Sequence, residues 1–389
     1  MGKPTFSVAI PYRQRLPNLR RALTSLAEQT MDSSRFEVVV GAIDYSPEYV
    51  AVCQDYADRL TIVTVMVNGG WNCSRARNLA LRQVSGRILL LMDADMVLPS
   101  SFLQNLHEKY YSGEADVCLV GQMIDYRPDG VYTVPDGDVP GSGLPYEHYR
   151  AALAELQASP GVRLDRRLDR DPAVAWTGVW AGLVAIPVAT VQRHGLSFDE
   201  NFHGWGFEDV EWGYRVWRSG TPIIMREDVY GVHQPHFRSG RLGDDEYRAN
   251  GRYFLAKWPN LEVELLRAFG PADAARWLGD ARREMTAVTG GGRLGVITGS
   301  AGGGSVLVVG VTLDDRQQPA DATAQSLLDQ GPPDEVLSLI GCALPHPDQS
   351  IERCFILPRV QQLSPRYRDA VLNEVGRVAR VVTPVVAPA

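Results

Sequence analysis

Two carboxylates, Asp93 and Asp95, stand with only Ala94 between them, directly after the apolar run 88–92 (ILLLM). Bounded by Ser85-Gly86 before and Pro99 after, that run reads as a strand buried on both faces. In open α/β sheets ligands bind at the carboxyl ends of strands. Paired carboxylates at such an edge suit a hard divalent cation, which can hold a ligand's phosphates. An isolated Asp-x-Asp also fits a solvated acidic turn. A second place is 204–211, GWGFEDVE. Glycines around Trp205 let the backbone approach a ligand closely while the indole offers an apolar wall. Carboxylates are favoured at a helix start by its free N–H groups, and this is the reading for Glu211. For Glu208 and Asp209 the pattern suits one carboxylate orienting a substrate hydroxyl and the other removing its proton. His233 and His236, in YGVHQPH, are either ordinary satisfied histidines or imidazoles completing a metal site begun by a carboxylate, a set that suits Mn2+ or a softer ion. PYRQR at 11–15 and SRARN at 74–78 each put arginines just after a strand or at a helix start. Alone they read as surface arginines; beside a metal-type acidic pair they make a diphosphate site coherent.

These groups need a scaffold, and the chain alternates strand and helix signals. Strands are expected at 6–10 (stopped by Pro11), 36–43 (ending at Asp44), 61–67, 88–92, 116–121, 176–186 and from 222 to 225. Helices are expected at 18–29 (capped by Asn18), 49–60, from Asn72 or Ser74 to 83, 99–111, 146–157 and 208–217. That alternation indicates βαβ units and a mostly parallel sheet flanked by helices, an α/β fold. Residues 126–171 depart from it, opening with RPDGVYTVPDGDVPGSGLP and closing on a charged run. They read either as a flap or acceptor-binding insertion or as a tolerated surface insertion. Residues 260–288 read as a helical extension broken near Gly270-Pro271, and the glycines of 290–304 as a boundary. The expected organisation is one domain over 1–289 and a small appended C-terminal α/β unit over 305–389, with strands at 306–311, 336–340 and 381–386 and helices at 322–328 and 365–375.

The chain has 389 residues, 45% hydrophobic and 22% charged, with a net charge of −7. This is an ordinary globular balance with no basic excess pointing to nucleic acid or an anionic membrane. Five scattered cysteines, odd in number and without metal-type spacing, suggest a reducing compartment. No apolar run is long enough to span a bilayer, the chain enters a strand at once, and MGKPTF lacks the Ser or Thr of a myristoylation signal. The expectation is a cytoplasmic protein.

The ordered set PYRQR, SRARN, MDAD, WAGLVAI, GWGFEDVE and VHQ resembles the inverting glycosyltransferases of the GT-A fold. Within these it looks most like family 2 enzymes and the β1,4-galactosyltransferase and chondroitin-polymerase type. The resemblance covers roughly residues 6–237 and not the tail after Asn260. It implies a nucleotide site at Pro11, Tyr12, Arg13, Arg15, Asp44, Arg75, Arg77, Asp93 and Ala94. It implies metal ligands at Asp95 and His233, donor-sugar or acceptor contacts at Gly182 and Trp205, an acceptor-contacting carboxylate at Glu208 and a catalytic base at Asp209. Two departures stand out: Ile43-Asp44 replaces the usual acidic pair, and Tyr230 stands where the galactosyltransferases carry a Met. The implied activity is metal-dependent inverting transfer from a nucleotide-diphosphate sugar, a UDP-sugar, with Mn2+ or Mg2+ as cofactor. The acceptor would be a soluble glycan, small metabolite or peptide. A nucleotidyltransferase would leave GWGFED unexplained, and a catalytically inactive nucleotide- or sugar-binding module is opposed by the intact Asp93, Asp95, Asp209 and His233.

Overall fold

The computed structural model describes residues 2–125, 144–158, 165–169, 171–235 and 240–385, without the side chains of 166 and 240–244. It divides into two units, Met1–Tyr247 and Arg248–Ala389. The first unit runs β1 (Phe6–Tyr12), α1 (Leu16–Ala27), β2 (Phe36–Ile43), α2 (Pro47–Asp55), β3 (Ile62–Val67), α3 (Cys73–Leu81), β4 (Ile88–Met92), β5 (Met96–Val97) and α4 (Phe102–Leu106). It continues with β6 (Cys118–Asp125), α5 (Tyr146–Ala158), β7 (Leu183–Pro187), α6 (Val188–Arg193), α7 (Glu208–Arg218), β8 (Ile223–His233) and the start of α8 (Gly240–Lys257).

Eight strands form one sheet in the order β3-β2-β1-β4-β7-β6-β8-β5. The first four are mutually parallel; β7 is antiparallel to β4 and β6, β8 parallel to β6, and β5 antiparallel to β8. The central strands are buried on both faces, and the side-chain period of two sorts their residues. Val8, Ile10, Val38, Val40, Leu90 and Met92 pack with Leu19, Leu23 and Leu26 of α1. Ala9, Val39, Leu89 and Leu91 face the other way, towards Ala80 of α3 and Trp212 and Val216 of α7. α3 lies so close that a Cβ on Gly41 would stand 1.9 Å from the Ala76 carbonyl oxygen.

Several boundaries differ from expectation, each for a local reason. β1 continues through Pro11 to Tyr12 because it leaves β4 after Ala9 and keeps only β2 alongside, so Pro11 needs no second ladder partner. α1 starts at Leu16 with Pro17 in its first turn, which leaves Asn18 buried inside the helix rather than capping it. Asn72, not Ser74, caps α3, its side chain accepting from the Arg75 N–H at 2.8 Å. Residues 172–178 are 3-10 helix and the strand expected over 176–186 is β7 alone. β8 is eleven residues long and ends on His233; the strand expected from 222 runs on through the charged Arg226, Glu227 and Asp228.

In the second unit, α9 (Leu261–Thr289) is broken at Gly270, where φ is +80°. β9 (Arg293–Ala301), β10 (Gly304–Leu313), α10 (Ala322–Ser326), β11 (Glu335–Leu337), β12 (Ile351–Ile356), α11 (Pro365–Val378) and β13 (Ala379–Pro384) follow. The five strands order as β11-β9-β10-β12-β13. The glycine-rich 290–304 is therefore not a boundary but the site of a hairpin, its Gly302-Gly303 turn having φ of +61° and +81°, the signature of the tight turn joining twisted strands. The helical segment 260–288, expected with the first domain, groups with the second unit.

Candidate active site

Strand register builds the first half of the site. Met96 of β5 and Asp125 of β6 both stand opposite His233 of β8. This brings His233 Nε2 to 3.4 Å from Asp95 Oδ1, while Nδ1 lies 2.6 Å from Asp125 Oδ1. The Gln234 N–H donates to the Asp95 carbonyl at 2.8 Å, locking the two segments together. Burial alone would lower the His233 pKa, but Asp95 and Asp125 outweigh it and raise it to about 9. Asp95 is buried and its Oδ2 accepts from Arg15 Nη1 at 2.6 Å. One carboxylate oxygen and one imidazole nitrogen thus converge, and the second imidazole nitrogen is oriented by a carboxylate, as metal-bound histidines usually are. No cluster of three His, Cys, Asp or Glu that could hold a metal occurs among the described residues. The donor pair therefore fits a cation that completes its shell with substrate oxygens and water, which is how Mg2+ and Mn2+ commonly bind beside phosphates. Tyr230 is not part of this pair: it lies on the opposite pleat face from His233, packed with Val97, Ile124, Tyr149 and Leu153. His236 lies outside the described residues.

Arg77 links this half to the second. It is buried, with Nη2 on Asp93 Oδ1 at 3.2 Å and Nη1 on Glu208 Oε1 at 3.1 Å. The structure thus turns Arg77 inward, tying the end of β4 to the start of α7. Glu208 is buried and its Oε2 has no hydrogen-bond partner among the described residues. Burial, and then the neighbouring Glu208 charge, push the Asp209 carboxyl up to about 7 against the pull of Arg77. Glu211, expected to serve the helix start, is fully buried and is held by Arg215 at 2.9 Å. Gly182 precedes β7 and abuts Asp93, whose Oδ2 would be 2.9 Å from a Cβ added there. Ala94 is buried beneath the same edge.

The GWGF loop enters α7 through left-handed backbone at Gly204, Gly206 and Phe207, with φ of +68°, +99° and +71°. What the two glycines admit is the start of α8. A Cβ on Gly204 would stand 2.0 Å from the Glu246 carboxyl carbon, and one on Gly206 would meet the Tyr247 ring at 2.7 Å. Trp205 itself is exposed.

The nucleotide-side residues line the ends of β1 and β2. Arg13 Nε lies 3.2 Å from Asp44 Oδ2, and Asp44, with φ of +76°, also receives the Gly69 N–H at 3.4 Å. Arg75 approaches Gly69 from α3, its Nη1 3.3 Å from where a Cβ would be. Pro11 and Tyr12 are buried instead, Tyr12 stacked on Tyr49 at 4.7 Å. Sequence reasoning missed Asp125, Glu246, Tyr247 and the Arg167 guanidinium lying 4.0 Å over the exposed Trp180 ring. None of these belongs to a motif, and only Asp125, at a strand end, carried any local signal. Of the insertion over 126–171, residues 126–143, 159–164 and 170 lie outside the described part. Arg167 docks its remainder on the Gly121 and Gly178 carbonyls at 3.2 and 2.9 Å.

A parallel-led sheet with helices on both faces, its ligand-type carboxylates where β4 ends, is the GT-A architecture of nucleotide-diphospho-sugar transferases. Residues 7–168 match the family model described as Glycosyl transferase family 2. It is similar to the validoxylamine A glucosyltransferase of Streptomyces hygroscopicus subsp. jinggangensis (strain 5008), 28% identical over 311 residues, 72% of this chain and 70% of that protein. Chondroitin synthase of Escherichia coli is 27% identical over 245 residues, 59% of this chain and 34% of that protein. Among solved structures, S. aureus TarS 1-349 in complex with UDP-GlcNAc matches at 18% identity and a TM-score of 0.48, over 68% of this chain and 71% of that one.

Proposed function

We propose that the first unit transfers a sugar, with inversion, from a nucleotide-diphosphate donor to an acceptor hydroxyl, and that the donor is a UDP-sugar. The observation that carries this reading is the buried Glu208 oxygen without a partner beside Asp209, whose pKa is raised towards neutrality. A buried acceptor atom left unsatisfied is costly, and a substrate hydroxyl would satisfy it. With one acceptor hydroxyl donating to Glu208, a neighbouring hydroxyl oxygen attacks the anomeric carbon while its own proton passes to the Asp209 carboxylate. The new C–O bond forms as the bond to the diphosphate breaks, and that electron pair leaves with the nucleotide. Arg13, Asp44 and Arg75 hold the nucleotide, and Arg77 keeps Asp93 and Glu208 in register. Asp95 and His233 would hold Mn2+ or Mg2+, which when bound supplies positive charge beside the departing diphosphate. The likeness to a validoxylamine A glucosyltransferase supports a small, soluble acceptor.

Calorimetric titration of UDP, GDP, ADP and dTDP, each with Mn2+ and with EDTA, tests the site. UDP is expected to bind with Mn2+ and to lose that binding in EDTA and in Asp95→Ala. Nucleotide binding that ignores EDTA, or none at all, would sink the metal-dependent reading.

A further inference from the structure

We propose that Gln234 is a positioning residue for the donor's diphosphate: its buried side chain clamps the first turns of α1 to the strand end that carries Asp95 and His233, and so aims Arg15. The inference rests on the transfer reading above and adds a residue to that site. Gln234 directly follows β8 and is fully buried. Its side chain turns to α1, with Nε2 donating to the Asn18 carbonyl at 3.1 Å and Oε1 accepting from Arg21 Nη1 at 3.2 Å. Arg21 is held in turn over the ring of the buried Tyr149, 5.7 Å from its centroid. A buried amide with both ends partnered permits little displacement, because each broken bond leaves a polar group without water.

Asp95 presents its two oxygens to two separately placed groups. Oδ1 lies 3.4 Å from His233 Nε2, a distance set by the pairing of β5 with β8. Oδ2 takes Arg15 Nη1 at 2.6 Å, a contact set by where α1 begins, since Arg15 is the residue that caps this helix. Strand pairing thus fixes the metal-type pair without α1, but it does not place Arg15. Gln234 joins the two, its N–H on the Asp95 carbonyl and its side chain on α1. A diphosphate reaching both a cation on Asp95 and the Arg15 guanidinium needs them in one register.

The test is calorimetric titration of UDP into the full chain at saturating Mn2+. UDP affinity should fall by about tenfold in Gln234→Met, which keeps the side-chain length and loses both of its hydrogen bonds. Arg15→Met should lose about as much, and the double variant no more than either alone, because Gln234 acts through Arg15. Arg21→Met opens the clamp from the α1 side and should weaken UDP likewise, whereas Arg21→Lys, which still donates to Gln234, should restore it. That pair decides the question if Gln234→Met does not fold. Native UDP affinity in Arg15→Met, Arg21→Met or a folded Gln234→Met would overturn the proposal. So would additive losses, about a hundredfold in the double variant, as a general structural role would give. Failure of the native protein to bind UDP would instead remove the transfer reading on which it stands.

Discussion

Asp209 is a carboxyl whose proton is held to an unusual pH by its surroundings. Water is largely excluded from it, Glu208 is the adjacent anion, Asp93 lies further off, and Arg77 is the opposing cation. A base must be deprotonated to act, so kcat/KM should rise as pH increases through about 7 and level off above it. A profile already flat from pH 5 would remove Asp209 from that role. Asp209→Asn should lower kcat by about a thousandfold, within the usual range for losing a general base, while UDP affinity with Mn2+ stays near native. At this scale the sequence was informative about residue type and less so about neighbours. Asp93, Asp95, Glu208, Asp209 and His233 were candidates by residue type and by the resemblance, and the structure places Asp95 beside His233 and joins Asp93 to Glu208 through Arg77. That Arg77 faces inward, and that Asp125 orients His233, depends on which strands lie side by side.

The elements converge because strand ends and helix starts are stacked along one edge of the sheet. α3 can bring Arg75 and Arg77 to that edge only by lying directly on β2, and Gly41 makes that contact possible. Gly41→Ala would push its methyl into the Ala76 carbonyl and force α3 outward. The expected result is a loss of about 1–3 kcal/mol or more in urea unfolding. Gly113→Ala, with nothing within 4 Å of the added carbon, should be near neutral. An unchanged midpoint in Gly41→Ala would mean that α3 does not rest on β2 as described. Helix and strand types were mostly legible from periodicity, as in Phe36–Ile43 and Tyr146–Ala158. Their ends were not, because Pro11 within β1 and Gly302-Gly303 within a hairpin are breakers by type whose effect depends on the neighbouring strand.

Among the described residues of the first unit, Tyr45, Met66, Trp180, Trp205 and Tyr247 are large apolar side chains left exposed. The second unit has its own buried charge. Glu264 of α9 accepts the N–H groups of Ile340, Gly341 and Cys342 at 2.9, 2.7 and 2.7 Å, yet burial dominates and lifts its pKa to about 7. A carboxyl raised in the folded state above its ordinary value near 4.5 adds stability that is complete below that value and is lost as pH rises through the folded pKa. Urea unfolding of the full chain should therefore show a fall in stability between about pH 4.5 and 7 that is smaller in Glu264→Gln. Parallel pH dependence in the two proteins would mean that Glu264 titrates normally.

The motifs PYRQR, MDAD and GWGFEDVE, read in order, were enough to point to a nucleotide-sugar transferase fold, because a strand's apolar run and the polar residues at its end are neighbours in the chain. Distances of contact were another matter. His233 reaches Asp95 through the pairing of β5, β8 and β6, and Glu246 reaches Trp205 because α8 returns to the loop before α7. Such contacts depend on register and packing between segments far apart in sequence, where a shift of one residue sends a side chain to the opposite face, and no local pattern encodes them.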